Sequence, residues 1–136
     1  MILSHLQTKT GKYCFIAAYF SLLNDKVDRE FVDPKIWNNL SRKIPNAKRR
    51  SSYPALKIGR LAVSTDMKGQ EIGTKIINYI QTRCTSNPTT GCRFITVDAY
   101  LSAIGFYQKC DFKFLVQPEP EDETALMFFD LKSILR

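Results

Sequence analysis

Hydrophobic and polar positions divide the chain into short blocks of two periodicities. Residues 2–6 read as a short strand, Lys9-Thr10-Gly11-Lys12 as a turn and residues 13–23 as a long apolar strand. Together they predict an antiparallel hairpin. Residues 24–33 are polar. Asp33-Pro34 then makes a helix entry, with Asp as cap and Pro at the first helical position. Ile36, Trp37, Leu40 and Ile44 follow at helical spacing, and Pro45 ends that helix. Residues 48–53 form a basic connection, after which Pro54 leads into a central strand over residues 56–64. Ile72, Ile76, Ile77 and Ile80 mark one face of an amphipathic helix.

The pattern continues through a loop, Ser86-Asn87-Pro88-Thr89-Thr90-Gly91, into a strand over residues 92–97. Because a helix connects it to the central strand, the two are expected to run parallel. Ser102 is expected to cap a short helix reaching Lys109, with Ala103, Phe106 and Cys110 on its inner side. Residues 112–116 and 126–131 read as the closing strands. Hairpin, helix, strand, helix, strand, helix and two strands make a mixed α/β sheet. The 136 residues suffice for one domain, 1–136, that buries a core without disulfides.

Composition narrows the class without naming a chemistry. Hydrophobic content of 44% and charged content of 24% are ordinary for a globular protein. No apolar run approaches a membrane span, and the N-terminus lacks the regions of a signal peptide, so a cytoplasmic setting is expected. Cys14, Cys84, Cys92 and Cys110 are scattered, none in a Cys-x-x-Cys pair, and His5 is the only histidine. No metal site is expected from such a set, and the cysteines read as reduced core residues. Trp37 reads as a core anchor.

Charge is unevenly spread. The net charge is +7, yet no acid lies between Asp33 and Asp66. That interval holds Lys35, Arg42, Lys43, Lys48, Arg49, Arg50, Lys57 and Arg60. Glu119, Glu121, Asp122 and Glu123 instead crowd a Pro-rich loop near the C-terminus. The basic interval reads either as a solvated surface or as a contact for a phosphate-rich partner, coenzyme A or RNA.

The strongest chemical signal is the junction between the central strand and its helix. Ile58-Gly59-Arg60-Leu61-Ala62-Val63 reads as buried strand, and Lys68-Gly69-Gln70-Glu71-Ile72-Gly73-Thr74 as a glycine-bearing loop opening the helix. Such a junction aims free backbone N–H groups and the positive end of the helix dipole at one small volume. That volume suits a phosphate or pyrophosphate.

This segment resembles motif A of the GNAT superfamily of N-acetyltransferases, whose loop reads Gln/Arg-x-x-Gly-x-Gly/Ala. Lys68 stands where Gln or Arg is usual and Gly73 matches the final glycine. Glu71 replaces the middle glycine, bringing a preference for negative φ and a negative charge beside the expected phosphates. A second segment, Ala103-Ile104-Gly105-Phe106-Tyr107-Gln108-Lys109-Cys110-Asp111-Phe112, resembles the family's Ala-x-x-Phe-Tyr-x-Lys-x-Gly-Phe. There Asp111 replaces a glycine, a mild swap because Asp tolerates the left-handed conformation. The resemblance covers residues 53–131, and residues 53–63 are similar to the bacterial branch that includes toxins acetylating aminoacyl-tRNA.

The resemblance implies a GNAT-like acyl-CoA N-acyltransferase fold and acetyl-CoA as cofactor. Backbone of Leu61, Ala62 and Val63 would pair with pantetheine, in a gap where two parallel strands splay apart. The amides of Lys68, Gly69, Gln70, Glu71, Ile72, Gly73 and Thr74 would hold pyrophosphate, with Phe106 and Lys109 completing the cofactor site. Tyr107 would be the catalytic acid that protonates the departing thiolate. Asp98 and Asp66 are candidates for a general base, as is an ordered water. Family members usually carry a strand and one or two helices before the hairpin, so this chain reads as N-terminally shortened.

Three functions follow as expectations. One is an N-acetyltransferase moving acetyl from acetyl-CoA to a primary amine of a small molecule or protein by direct transfer. Another is a toxin-type enzyme acting on aminoacyl-tRNA, with RNA contact through residues 35–60. The third is a non-catalytic coenzyme A binding module, favoured by Glu71 and the shortened N-terminus. No membrane partner is expected, and a homodimer is compatible with all three.

Overall fold

The computed structural model describes residues 6–7, 14–15, 17–45, 49–67, 69–86 and 91–133. Strands β1 (Leu6–Gln7) and β2 (Cys14–Phe15) pair antiparallel where the hairpin is expected. Residues 2–5 of its first strand and the turn at residues 9–12 lie outside the described residues. The long second strand expected over residues 13–23 is divided between β2 and a strand that pairs elsewhere. β3 (Ala18–Asp28) runs past the expected strand end into the polar stretch. It does so because pairing with β4 (Ser52–Val63) continues to Asp28↔Ser52. Composition there is overridden by tertiary pairing: Val27 is buried, and half-buried Asp25 accepts a 2.6 Å hydrogen bond from the Thr96 hydroxyl.

Helix α1 (Pro34–Arg42) begins as predicted, with Asp33 Oδ1 accepting from the Lys35 N–H at 3.3 Å and Pro34 in the first turn. It stops short of Pro45. The Lys43 and Ile44 N–H groups donate to Leu40 and Ser41 carbonyls, and Arg49 Nε donates to the Ser41 and Ile44 carbonyls at 3.0 and 3.2 Å. The basic connection thus caps the helix it leaves. Pro54, expected before the central strand, lies inside β4.

Beyond β4 come a 3-10 turn (Thr65–Met67) and helix α2 (Ile72–Ser86), then β5 (Phe94–Tyr100). β4 and β5 are parallel, as expected. A 3-10 turn (Leu101–Ala103) precedes α3 (Ile104–Lys109), so Ser102 sits inside that turn and does not cap the helix. β6 (Lys113–Phe114) is much shorter than the strand anticipated there, and β7 (Thr124–Asp130) closes the sheet. The five strands lie in the order β3-β4-β5-β7-β6, with only β4 and β5 parallel among them. This is the mixed α/β sheet expected from the pattern.

Each face of the sheet carries its own core. On one, Trp37, Leu40 and Ile44 pack against Val27, Tyr53, Ala55, Phe94 and Phe128, with the Trp37 and Tyr53 rings stacked at 5.6 Å. On the other, Ile77 and Ile80 of α2 and Tyr107 and Cys110 at α3 meet Ile58, Ile95, Val97, Met127 and Phe129. Arg93 joins the start of β5 to the end of β7 through a two-bond pair with Asp130, at 2.8 and 3.2 Å.

Candidate active site

The pairing of β4 with β5 ends at Ile58↔Val97, although β4 continues to Val63 and β5 to Tyr100. Gly59 explains where they part. Arg60 pairs with Ser21 and Ile58 with Leu22, so Gly59 is the extra residue of a bulge in β4. A Cβ at this position would lie 2.9 Å from Ser21 Oγ and 3.0 Å from Leu23 Cδ1, so the close approach favours glycine. Beyond the bulge, β4 stays with β3 and leaves β5. Its β5-facing N–H and C=O groups then have no strand to bond.

A cleft of about 430 Å³ occupies the gap. Ile58, Leu61, Ala62, Val97 and Ala99 line it, and Tyr107 stands beside them. Tyr107 is only 6% exposed, its ring edge-on to Phe106 and Phe112 at 5.1 and 5.4 Å. Burial, with a smaller contribution from Cys110, pushes its hydroxyl up to about 12. No hydrogen bond from that hydroxyl is made among the described residues, so it is free to serve a molecule in the cleft.

Gly69 and Glu71 lie in the loop entering α2 with φ of +85° and +56°. Glu71 therefore holds the left-handed conformation that the family places on a glycine, at a cost of about 1 kcal/mol. Its side chain is exposed and its carbonyl accepts from Lys75, opening the helix. The N–H groups of Ile72, Gly73 and Thr74 find no carbonyl partner among the described residues. Phe106 Cζ would lie 3.0 Å from a Cβ on Gly73, so α2 and α3 touch where this loop meets the tyrosine helix. Asp111 adopts φ +66°, as expected for a residue in the glycine's place.

The residues singled out in the sequence divide into four groups. Leu61, Ala62 and Tyr107 line the cleft, and Asp98 joins them, its carboxylate paired with Lys57 Nζ. Gly69, Gln70, Glu71, Ile72, Gly73 and Thr74 form the loop and first turn of α2, while Phe106 bridges to it. Val63 ends β4 and is not part of the cleft lining, and Lys109 is exposed at the end of α3. Lys68 and the Asp66 side chain lie outside the described residues. Sequence reasoning passed over Tyr19, Ala99 and Tyr100, which also line the cleft, and gave no place in it to Arg60 or Ala103, which line it too. The available signal was Gly59, since a glycine inside a strand marks a bulge and hence the place where a neighbour departs.

The described cations of the acid-free interval line several separate hollows. Lys57 is spent on Asp98, Arg60 stands at the cleft, Arg42 and Lys43 line a groove shared with Asp111 and Asp130, and Arg49 and Arg50 lie beside α1. Cys110 is buried, Cys84 and Cys92 are half-buried, and all three are free thiols; burial pushes Cys84 and Cys110 up. No described helix is long and apolar enough to cross a membrane.

A mixed sheet parted between its two parallel strands, with a helix N-terminus following the parted strand, is the GNAT-like fold. The model of the acetyltransferase (GNAT) domain matches residues 45–129, more than half of the chain, and the protein belongs to that family. Among solved structures, a tyrosine-to-phenylalanine mutant of KacT is similar at TM-score 0.73 and 21% identity, over 96% of this chain and 70% of that one. AtaT complexed with acetyl-methionyl-tRNAfMet is similar at TM-score 0.63 and 26% identity, over 88% of this chain and 65% of that one. AtaTR bound with acetyl-CoA is similar at TM-score 0.59 and 27% identity, over 88% of this chain and 64% of that one. A toxin of bacterial origin matches over 88% of this chain and 63% of its own, so the chain spans roughly two-thirds of these structures. No curated protein matches significantly.

Proposed function

We propose that this GNAT domain transfers acetyl from acetyl-CoA to a primary amine, directly and within the cleft between β4 and β5. The observation that carries the reading is the parting of the strands at Ile58 and Val97 with Tyr107 beside the gap. The residues present fit the cofactor: β4 backbone at Leu61, on the edge turned away from β3, for a pantetheine amide, with Ala62 beside it in the cleft lining, and the amides of Gly69 to Thr74 for the pyrophosphate. Acetyl-CoA supplies a thioester, which a neutral amine can attack.

The chain's own part is to place and polarise. A β4 N–H facing the gap serves as the donor for charge developing on the carbonyl oxygen. Tyr107 is held neutral across the working pH range by its burial, so its hydroxyl always has a proton to offer the departing sulfur. A thiol near pKa 8.5 is the stronger acid of the two, so Tyr107 stabilises the leaving thiolate chiefly as a hydrogen-bond donor. The proton lost by the amine balances the one the thiol finally gains. Asp98, which lines the cleft and is engaged by Lys57, would orient the acceptor there.

Among amine acceptors, an aminoacyl group on RNA is the one favoured. The relative captured with acetyl-methionyl-tRNAfMet supports it, as does the basic surplus of this chain. A transfer assay with aminoacyl-tRNA and with free amino acid amides tests the reading. Acetylation of the tRNA-borne amine is expected. Failure of any amine to accept acetyl, with acetyl-CoA bound, would leave only the coenzyme A binding module.

A further inference from the structure

Three arginines converge far from the cleft. Arg29 follows the end of β3, and Arg49 and Arg50 precede β4. With Asn38 and Ser41 of α1 and Ser51 they line an open pocket of about 420 Å³ whose lining contains no carboxylate. Backbone bonds hold the frame: the Arg29 N–H donates to the Ser51 carbonyl at 2.9 Å, and the Arg50 N–H to the Tyr53 hydroxyl at 3.0 Å. Arg49 spends its Nε on the end of α1. The guanidinium groups of Arg29 and Arg50 form no ion pair among the described residues. The nearest acid on β3, Asp28, is occupied by Lys26 Nζ at 3.2 Å and by the Glu30 N–H at 3.1 Å, contacts that hold its carboxyl below the usual range.

Guanidinium forks that form no ion pair among the described residues, beside hydroxyl and amide donors in a lining that holds no carboxylate, match the oxygens of a phosphodiester; Asp25 shares only the adjoining hollow with Arg50. The position of the pocket adds a length. Tyr19 lines the cleft and Arg29 the pocket, at opposite ends of β3, which puts roughly 30 Å of strand between them. That is roughly the length of one turn of a nucleic-acid duplex, about ten base pairs.

We propose that the Arg29–Arg50 pocket is a remote anchor for the phosphate backbone of a duplex RNA whose aminoacylated end lies in the cleft. The inference rests on the RNA-acceptor reading and adds a ruler to it: the pocket selects acceptors with a double-stranded stem long enough to reach it.

The test uses the full chain and two RNA hairpins with the same one-nucleotide 3′ overhang, so that the stem itself must cover the span, one with a stem of about 12 base pairs and one with about 5. Wild type is expected to bind the long stem at least tenfold more tightly. The double variant Arg29→Gln, Arg50→Gln is expected to bind both alike, with the slope of log K against log salt for the long stem reduced by about 2. Thermal stabilisation by acetyl-CoA should be unchanged, which shows the variant folded. Arg29→Lys with Arg50→Lys, keeping the charge but not the planar fork, should restore the salt slope and only part of the preference. An undiminished preference for the long stem in the Gln variant overturns the anchor while leaving the RNA-acceptor reading intact. Binding of neither hairpin by wild type, with acetyl-CoA still bound, overturns both.

Discussion

Gly73 and Phe106 lie so close that a single methyl group on the glycine would sit 3.0 Å from the ring's Cζ. The helix that opens with the free amides and the helix that carries Tyr107 are therefore in register through one contact. Replacing Gly73 by Val would push Phe106, whose ring stands edge-on to Tyr107. Overpacking of this kind costs about 1–3 kcal/mol, to be read as a lowered urea midpoint. Acetyl transfer should fall further than stability alone accounts for.

Tyr107→Phe removes the hydroxyl and keeps the packing against Phe112 and Phe106. Turnover is expected to drop by about 10² to 10⁴ while acetyl-CoA affinity stays within a few-fold. Steady-state kinetics beside calorimetry separates the two. Equal turnover in both proteins removes the tyrosine from the mechanism.

The same residue links stability to alkaline pH. Its folded pKa, raised to about 12, exceeds the unfolded value near 10, so the protonated form is favoured by folding. That stabilisation is complete below about pH 10 and disappears as pH rises through about 12. The melting temperature should therefore fall less steeply over that window in Tyr107→Phe than in wild type. For the same reason the transfer rate should show no alkaline limb from this group below about pH 11.

Glu71 carries a glycine's backbone angle at φ +56°. Glu71→Gly relieves that strain, and removes a negative charge from the rim of the anion-seeking amides. Stability is expected to hold or rise by up to about 1 kcal/mol, and acetyl-CoA to bind more tightly. Thermal melts and calorimetry check each part, and weaker binding would sink the expectation.

Thr96, 1% exposed on β5, donates a hydroxyl hydrogen bond to Asp25 across the width of β4. Thr96→Val leaves a half-buried carboxylate without that donor and should cost about 1–2 kcal/mol, measurable by urea denaturation.

Much of the fold is legible from local chemistry. Asp33-Pro34, the isoleucines of α2 and the apolar block of β5 act through caps and periodicity, which need no tertiary knowledge. The errors fall where pairing decides. Residues 24–28 are strand because β4 lies beside them, and Ser102 is drawn into a 3-10 turn by the exit of β5. In the site, the loop and Tyr107 are visible as motifs, whereas Tyr19, Tyr100 and Ala103 join the cleft from three separate elements. Only the three-dimensional parting at Gly59 brings them together.

With just four residues of each partner in register, Ala55 to Ile58 against Phe94 to Val97, the sheet is in effect two ribbons stitched along a short seam. A molecule lodged beyond the last stitch would act as a splint across both. Amide hydrogens on the two ribbons should then exchange more slowly in concert when the thioester is present, although few of them touch it.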